Sequence, residues 1–187
     1  MDKNIEIVAT FLQNLGLDLE DDNFKDTPKR FANTYLDLCR GLTDESRKEI
    51  IENLGCRFAT KYKGMIIQEP IRVYSLCSHH LLPVTYDVLF GYIPKDKSLG
   101  FSKSIKVIEL LAAKPVSQED FTQEVIDTFD KTLKPKGLMV VIRGVHTCML
   151  IRSVKTNTVN TTSAVRGVFK DEERTRNEFL KLASFKI

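Results

Sequence analysis

Apolar residues at Ile5, Val8, Phe11, Leu12 and Leu15 recur every three to four positions and stop at Gly16. This spacing predicts an amphipathic helix of about three turns. The acidic run Glu20-Asp21-Asp22 reads as a solvated loop. Thr27-Pro28 then offers a capping hydroxyl and a proline suited to a first helical turn. A second helix is expected over 28–42, with Phe31, Ala32, Tyr35, Leu36 and Leu38 as its apolar residues. A third, short helix is expected over 44–53, ending near Gly55.

From Met65 the period changes from helical to extended. Ile66-Ile67 and 71–74 read as strand segments, followed by a strand over 84–93 and a turn at Pro94-Lys95-Asp96-Lys97. Ile105, Ile108, Leu111 and Ala112 place a helix over 102–113, broken at Pro115. Another is expected over 117–133, before Pro135-Lys136-Gly137. The nearly continuous apolar run 138–145 predicts a buried strand, 148–154 is expected to continue extended, and the Thr/Val-rich 156–168 favours a further strand. A helix over 171–183 closes the pattern. Three N-terminal helices thus precede the order strand, strand, helix, helix, strand, strand, helix. That order predicts an α+β fold with antiparallel sheet rather than a doubly wound one. Its open sheet edges call for covering by neighbouring subunits. The expected organisation is one compact domain, with an N-terminal helical region over 1–64 and the main α+β region over 65–187.

Composition changes this picture little. A chain of 187 residues, 42% hydrophobic, can bury one sizeable core. Its net charge of +3, from 28 basic and 25 acidic residues, is too small and too mixed to indicate nucleic acid or a membrane as partner. Cys39, Cys56, Cys77 and Cys148 are too sparse for a disulfide framework and fit a reducing compartment. No long apolar run suggests a signal peptide or membrane span. A soluble, cytoplasmic protein is the expectation.

The chemistry gathers in two short stretches. Cys77-Ser78-His79-His80 and His146-Thr147-Cys148 hold all three histidines and two of the four cysteines. A Cys-x2-His pair on a tight turn can reach one Zn²⁺ at ~2.0–2.3 Å. Cys148, the only later cysteine, completes a set of Cys77, His80 and Cys148 with the fourth position open, the pattern of catalytic rather than structural zinc. His79 and His146 remain for proton transfer near neutral pH. The plainer reading of the same residues is a buried cysteine beside surface histidines. Glu119, after Gln118, is either an ordinary acid of a helix start or an acceptor fork for a ring with two adjacent N–H donors, such as guanine. Arg30, Lys103 and Lys106 sit at helix starts against the dipole, and Arg152 follows Cys148 by four residues. Taken together they suggest a polyanion; each alone reads as a solvated cation.

These residues closely resemble GTP cyclohydrolase I. The resemblance runs through Thr27-Pro28-Lys29-Arg30, Cys77-Ser78-His79-His80-Leu81-Leu82-Pro83, Gly91-Tyr92-Ile93-Pro94, Gly100-Phe101-Ser102-Lys103, Gln118-Glu119, His146-Thr147-Cys148, Thr162-Ser163 and Gly167-Val168-Phe169. It implies a tunnelling fold, the family's α+β unit, in a ring of subunits that is usually a decamer. It implies conversion of GTP to 7,8-dihydroneopterin triphosphate and formate, with Zn²⁺ on Cys77, His80 and Cys148. His146 would be the proton donor to the purine N7 and His79 a second acid/base. The resemblance puts guanine on Glu119 with Gln118 beside it and the ribose near Ser102. It puts the triphosphate on Lys103, Arg152 and, from another subunit, Arg30. Lys106 stands where relatives often carry Arg, which keeps the charge but loses the bidentate fork. One departure stands out. The family's usual motif is Cys-Glu-His-His, and Ser78 replaces the glutamate without removing a metal ligand. A nucleobase deaminase would need His-x-Glu and Pro-Cys-x-x-Cys, which are absent. A zinc staple with four protein ligands and a catalytically silent GTP-binding homologue are the other readings.

Overall fold

A computed structural model describes residues 2–152 and 154–183. In chain order its elements are α1 (Lys3–Asn14), α2 (Thr27–Leu38), α3 (Asp44–Gly55), β1 (Arg57–Ala59), β2 (Ile66–Cys77), β3 (Pro83–Ile93) and β4 (Lys97–Leu99). There follow α4 (Phe101–Ala112), β5 (Pro115–Val116), α5 (Gln118–Leu133), β6 (Gly137–His146), α6 (Thr147–Ile151), β7 (Val159–Gly167), α7 (Val168–Asp171) and α8 (Glu173–Leu182). The expected α+β fold is present. A five-stranded sheet has the order β5-β2-β3-β6-β7, antiparallel except where β5 lies parallel to β2, and β1 pairs with β4 in a small second ribbon.

The central strands are buried on both faces, which is why 138–145 reads as an unbroken apolar run. Tyr86, Val88, Phe90, Val140 and Ile142 share one core with Val107, Ile108, Phe121, Val125 and Phe129 from α4 and α5. Phe90 and Phe129 meet with ring centroids 4.5 Å apart. Leu89, Met139 and Val141 face the other way, beneath Phe169 and Phe179 of the C-terminal helices. Each such side chain contributes roughly 1.5–3 kcal/mol when fully buried, and together they make β2, β3 and β6 a firm base for the residues at their ends. Among the described residues no helix is long and apolar enough to cross a membrane.

Several boundaries moved for identifiable reasons. The helix expected over 28–42 ends at Leu38 and gives way to a 3-10 turn at Arg40–Leu42. There Gly41 N donates to Ala113 O at 2.8 Å, and a Cβ on residue 41 would stand 2.8 Å from that same oxygen. Close packing against the end of α4 thus overrides helix continuation. Ile66-Ile67 and 71–74 are one strand, with a register shift between Gln68 and Ile71. Pro70, which lacks an N–H for the ladder, lies inside that irregularity. The closing helix is broken by an extended Glu172 into α7 and α8.

The largest difference falls on the candidate chemistry. The stretch 148–154 was expected to be extended, yet the chain turns into α6 directly after His146. β6 ends where His146 pairs with Val84, and the Thr147 hydroxyl donates to Pro83 O at 2.6 Å. Those contacts hold the start of α6 against the β2–β3 turn. Ser153, within the expected extended stretch, lies outside the described residues.

Candidate active site

The Cys77–Pro83 connection is a compact turn. Leu81 N donates to Cys77 O at 2.8 Å and Cys77 N to Leu82 O at 2.9 Å. Leu81 sits in the left-handed region at φ 53°, and the Tyr35 hydroxyl of α2 donates to its carbonyl at 3.1 Å. Cys77 is thereby turned inward, while Ser78, His79 and His80 lie on the exposed side. Cys77 Sγ is 3.5 Å from His80 Nδ1 and 4.0 Å from His79 Nδ1.

α6 brings the distant cysteine to this turn. Cys148 Sγ lies 3.8 Å from Cys77 Sγ, and both are free thiols rather than a disulfide. Ligand atoms of Cys77, His146 and Cys148 all fall within 4.8 Å of one another. Tetrahedral bonds of about 2.3 Å to sulfur and 2.0–2.1 Å to nitrogen place two thiolates roughly 3.8 Å apart and a thiolate and an imidazole roughly 3.6 Å apart. The Cys77–Cys148 and Cys77–His80 separations agree with those two edges. Two thiols with imidazoles beside them are the donor chemistry of a four-coordinate metal that favours sulfur and nitrogen. His146 groups with both thiols, while His80 is placed against the Cys77 thiol.

Burial shapes the acid–base properties. Desolvation holds the Cys148 thiol above its ordinary pKa, helped by its hydrogen bond to Cys77 and opposed by the charge of Arg152. A bound cation reverses that preference, because a coordinating thiol is deprotonated outright. Desolvation also lowers His146 below the ordinary imidazole value, and the Glu119 carboxylate pulls in the opposite direction. Glu119 is exposed in the first turn of α5, capped by Ser117, whose hydroxyl accepts from Asp120 N at 3.0 Å.

Gln118 is placed quite differently from its neighbour. It is buried, with Nε2 donating to Ile142 O at 3.1 Å, Asn160 O at 3.0 Å and Thr162 Oγ1 at 3.1 Å. Its Oε1 meets His146 Nε2 at 3.0 Å. The arrangement depends on Gly144, where a Cβ would overlap that oxygen and come 2.8 Å from the Tyr86 ring. Tyr86 itself is fully buried, stacks on Phe121 at 5.3 Å and turns its ring edge-on to His146 at 5.9 Å. Its hydroxyl has no hydrogen-bond partner among the described residues, and burial raises its pKa, followed by the charges of Cys77, Glu119 and Cys148.

The structure thus brings Cys77, His79, His80, Gln118, His146 and Cys148 together, with the charges of Glu119 and Arg152 acting on the same group. Ser102, Lys103 and Lys106 occupy the first two turns of α4, and Arg30 lies in α2 in an ion pair with Asp26 at 3.1 Å. Among the described residues no hydrogen bond or ion pair ties these four to the cluster. Sequence reasoning assigned no part to Tyr86 or Gly144, which carry no motif signal because their pairing across β3 and β6 is set by register. Thr162 was visible in the resemblance but without a task.

The family model for GTP cyclohydrolase I matches residues 5–184. "GTP cyclohydrolase 1" of Helicobacter pylori is 36% identical over 92% of this chain and 94% of its own. The protein of that name from Chlorobium chlorochromatii is 38% identical over 94% of this chain and 78% of its own. A Neurospora crassa relative, again named GTP cyclohydrolase 1, is 38% identical over 97% of this chain, which spans 58% of the fungal one. A match this long, on a chain whose distant Cys and His residues converge at one turn, shows that the chain belongs to the GTP cyclohydrolase I family.

Proposed function

We propose that this protein is a zinc-dependent hydrolase that converts GTP to 7,8-dihydroneopterin triphosphate and formate, the first step of pterin and folate-type biosynthesis. The observation that carries the reading is the meeting of Cys77, Cys148, His80 and His146, beside Glu119, in a chain of this family.

Cys77, His80 and Cys148 would hold the ion, with His146 close to both thiols. Zinc, when bound, supplies activation of water at neutral pH. Glu119 accepts from N1–H and the 2-amino group of guanine and so orients C8 toward the cluster. His146 and His79 move protons as the imidazole ring opens and formate leaves. Ribose rearrangement and ring closure complete the family's course. Ser102 lies near the ribose, and Lys103, Lys106 and Arg152 balance the triphosphate together with Arg30 of the partner subunit. The assembly is a homo-oligomeric ring, in the family's usual form a decamer, of cytoplasmic subunits built from the helical region 1–64 and the catalytic region 65–187. Exposed Ile7 and Phe11 on α1, Leu15 just after it, and β7 paired on only one side support association.

Incubating zinc-loaded protein with GTP is expected to yield formate and a fluorescent pterin after oxidation. Binding of zinc and GTP with neither product would instead make this a silent homologue, the reading that Ser78 invites. The shared site has its own test. Arg30→Ala and His146→Ala proteins are each expected to be nearly inactive, and mixed assemblies to regain activity where an intact Arg30 meets an intact His146. No recovery after proven subunit exchange would confine the site to one chain.

A further inference from the structure

The hydrogen-bond directions around Gln118 are fixed by groups that can act in only one sense. Thr122 Oγ1 donates to Gln118 O at 2.7 Å, so its single proton is committed. In its 2.7 Å contact with Thr162 Oγ1 the Thr122 oxygen must therefore accept. That commits the Thr162 proton in turn, and its oxygen accepts from Gln118 at 3.1 Å. Ile142 O and Asn160 O, on the same side of the amide at 3.1 and 3.0 Å, are acceptors as well. Rotating the amide by half a turn would set its oxygen against two carbonyls, so the group facing His146 is the oxygen. An amide oxygen cannot donate. The proton in the 3.0 Å contact must come from His146 Nε2.

We propose that Gln118 is a positioning residue that holds neutral His146 as its Nε2–H tautomer, leaving Nδ1 as the only ring nitrogen able to take up a proton or bind an ion. The inference rests on the hydrolase reading for its functional meaning: the ring nitrogen left to serve the reaction is Nδ1, because Nε2–H stays with Gln118. Gln118 then acts on the reaction through His146 and not by touching guanine. Its burial, with both ends of the amide engaged inside the protein, is what a support of this kind requires and a substrate contact does not. The supporting chain runs from α5 to β7 and back, and Gly144 leaves the space for its last link.

The test is nitrogen NMR of histidine-labelled, full-length protein, as purified and after chelator treatment, at a pH where the ring is neutral. Three histidines give at most three sets of ring signals, and a His146→Ala sample identifies the one sought. The expected result is a protonated Nε2 and an unprotonated Nδ1 in the wild type. In Gln118→Met the two nitrogens should move toward averaged shifts, with kcat for formate release reduced ~10–100-fold and KM for GTP little changed. An Nδ1–H or evenly mixed ring in the wild type overturns the proposal, and that measurement decides it even if the variant fails to fold. A raised KM with an unmoved tautomer also overturns it, by making Gln118 a guanine contact. The imidazole signals need neither GTP nor turnover, so absence of formate in the wild type counts against the hydrolase reading alone.

Discussion

Replacing Cys148 by serine is expected to abolish binding of the proposed zinc ion and, with it, activity. In the proposed site Cys148 is the ligand that only folding supplies, since α6 carries it to within 3.8 Å of Cys77 across 71 positions of sequence. A serine hydroxyl stays protonated at neutral pH and is a poor ligand for a thiolate-favouring ion. The variant retains Cys77 with the imidazoles of His80 and His146, a set with one thiolate in place of two. The loss should exceed the ~10–100-fold that removing a mere supporting residue costs a metal site. The side chain keeps nearly the same shape, so the fold should persist in the metal-free state. Elemental analysis after dialysis reads the outcome, with Cys39→Ser as a control that keeps the metal. Full occupancy in Cys148→Ser would remove Cys148 from the ligand set and favour His146, which shares the cluster, as the third donor.

Glu119→Gln is expected to lose most of its efficiency with GTP while keeping its stability. Glu119 is exposed at the start of α5 and has no structural hydrogen bond among the described residues, so an amide there disturbs little of the fold. Toward guanine the change is severe, because a two-oxygen acceptor facing two N–H donors becomes one acceptor and one opposing donor. Mispairing of this kind costs ~1–3 kcal/mol, or about 5- to 150-fold in kcat/KM. The loss should be smaller for ITP, whose base lacks the 2-amino group and so never used the second oxygen. Unchanged kcat/KM for GTP, or equal losses for GTP and ITP, would reduce Glu119 to an ordinary helix-start acid.

Much of the architecture was legible because it depends on near neighbours. Helix α1 follows from the spacing of Val8, Leu12 and Leu15, and β3 and β6 follow from dense apolar runs that bury both faces. The Cys-x2-His pair is equally local, since a short turn sets the distance between Cys77 and His80 whatever surrounds it. Elements misjudged were those whose conformation is imposed from afar. α2 stops because Gly41 must lie against α4, and the run after His146 coils because Thr147 bonds to Pro83, 64 residues earlier.

The sequence by itself determined the donor inventory: two cysteines and three histidines in two clusters, and a carboxylate after Gln118 at a helix start. What tertiary structure decided is how those donors are oriented. Gln118 and Glu119 are adjacent in the chain, yet the helix turns one into the core against His146 and the other to solvent. Gly144 matters only because β6 pairs with β3 in the register that puts it opposite Tyr86 and under the Gln118 oxygen. Composition and periodicity report each residue's own preference for water or apolar surroundings. The direction of a hydrogen bond depends on which partner a strand register or helix turn brings to 3 Å, and that is a property of the assembled chain.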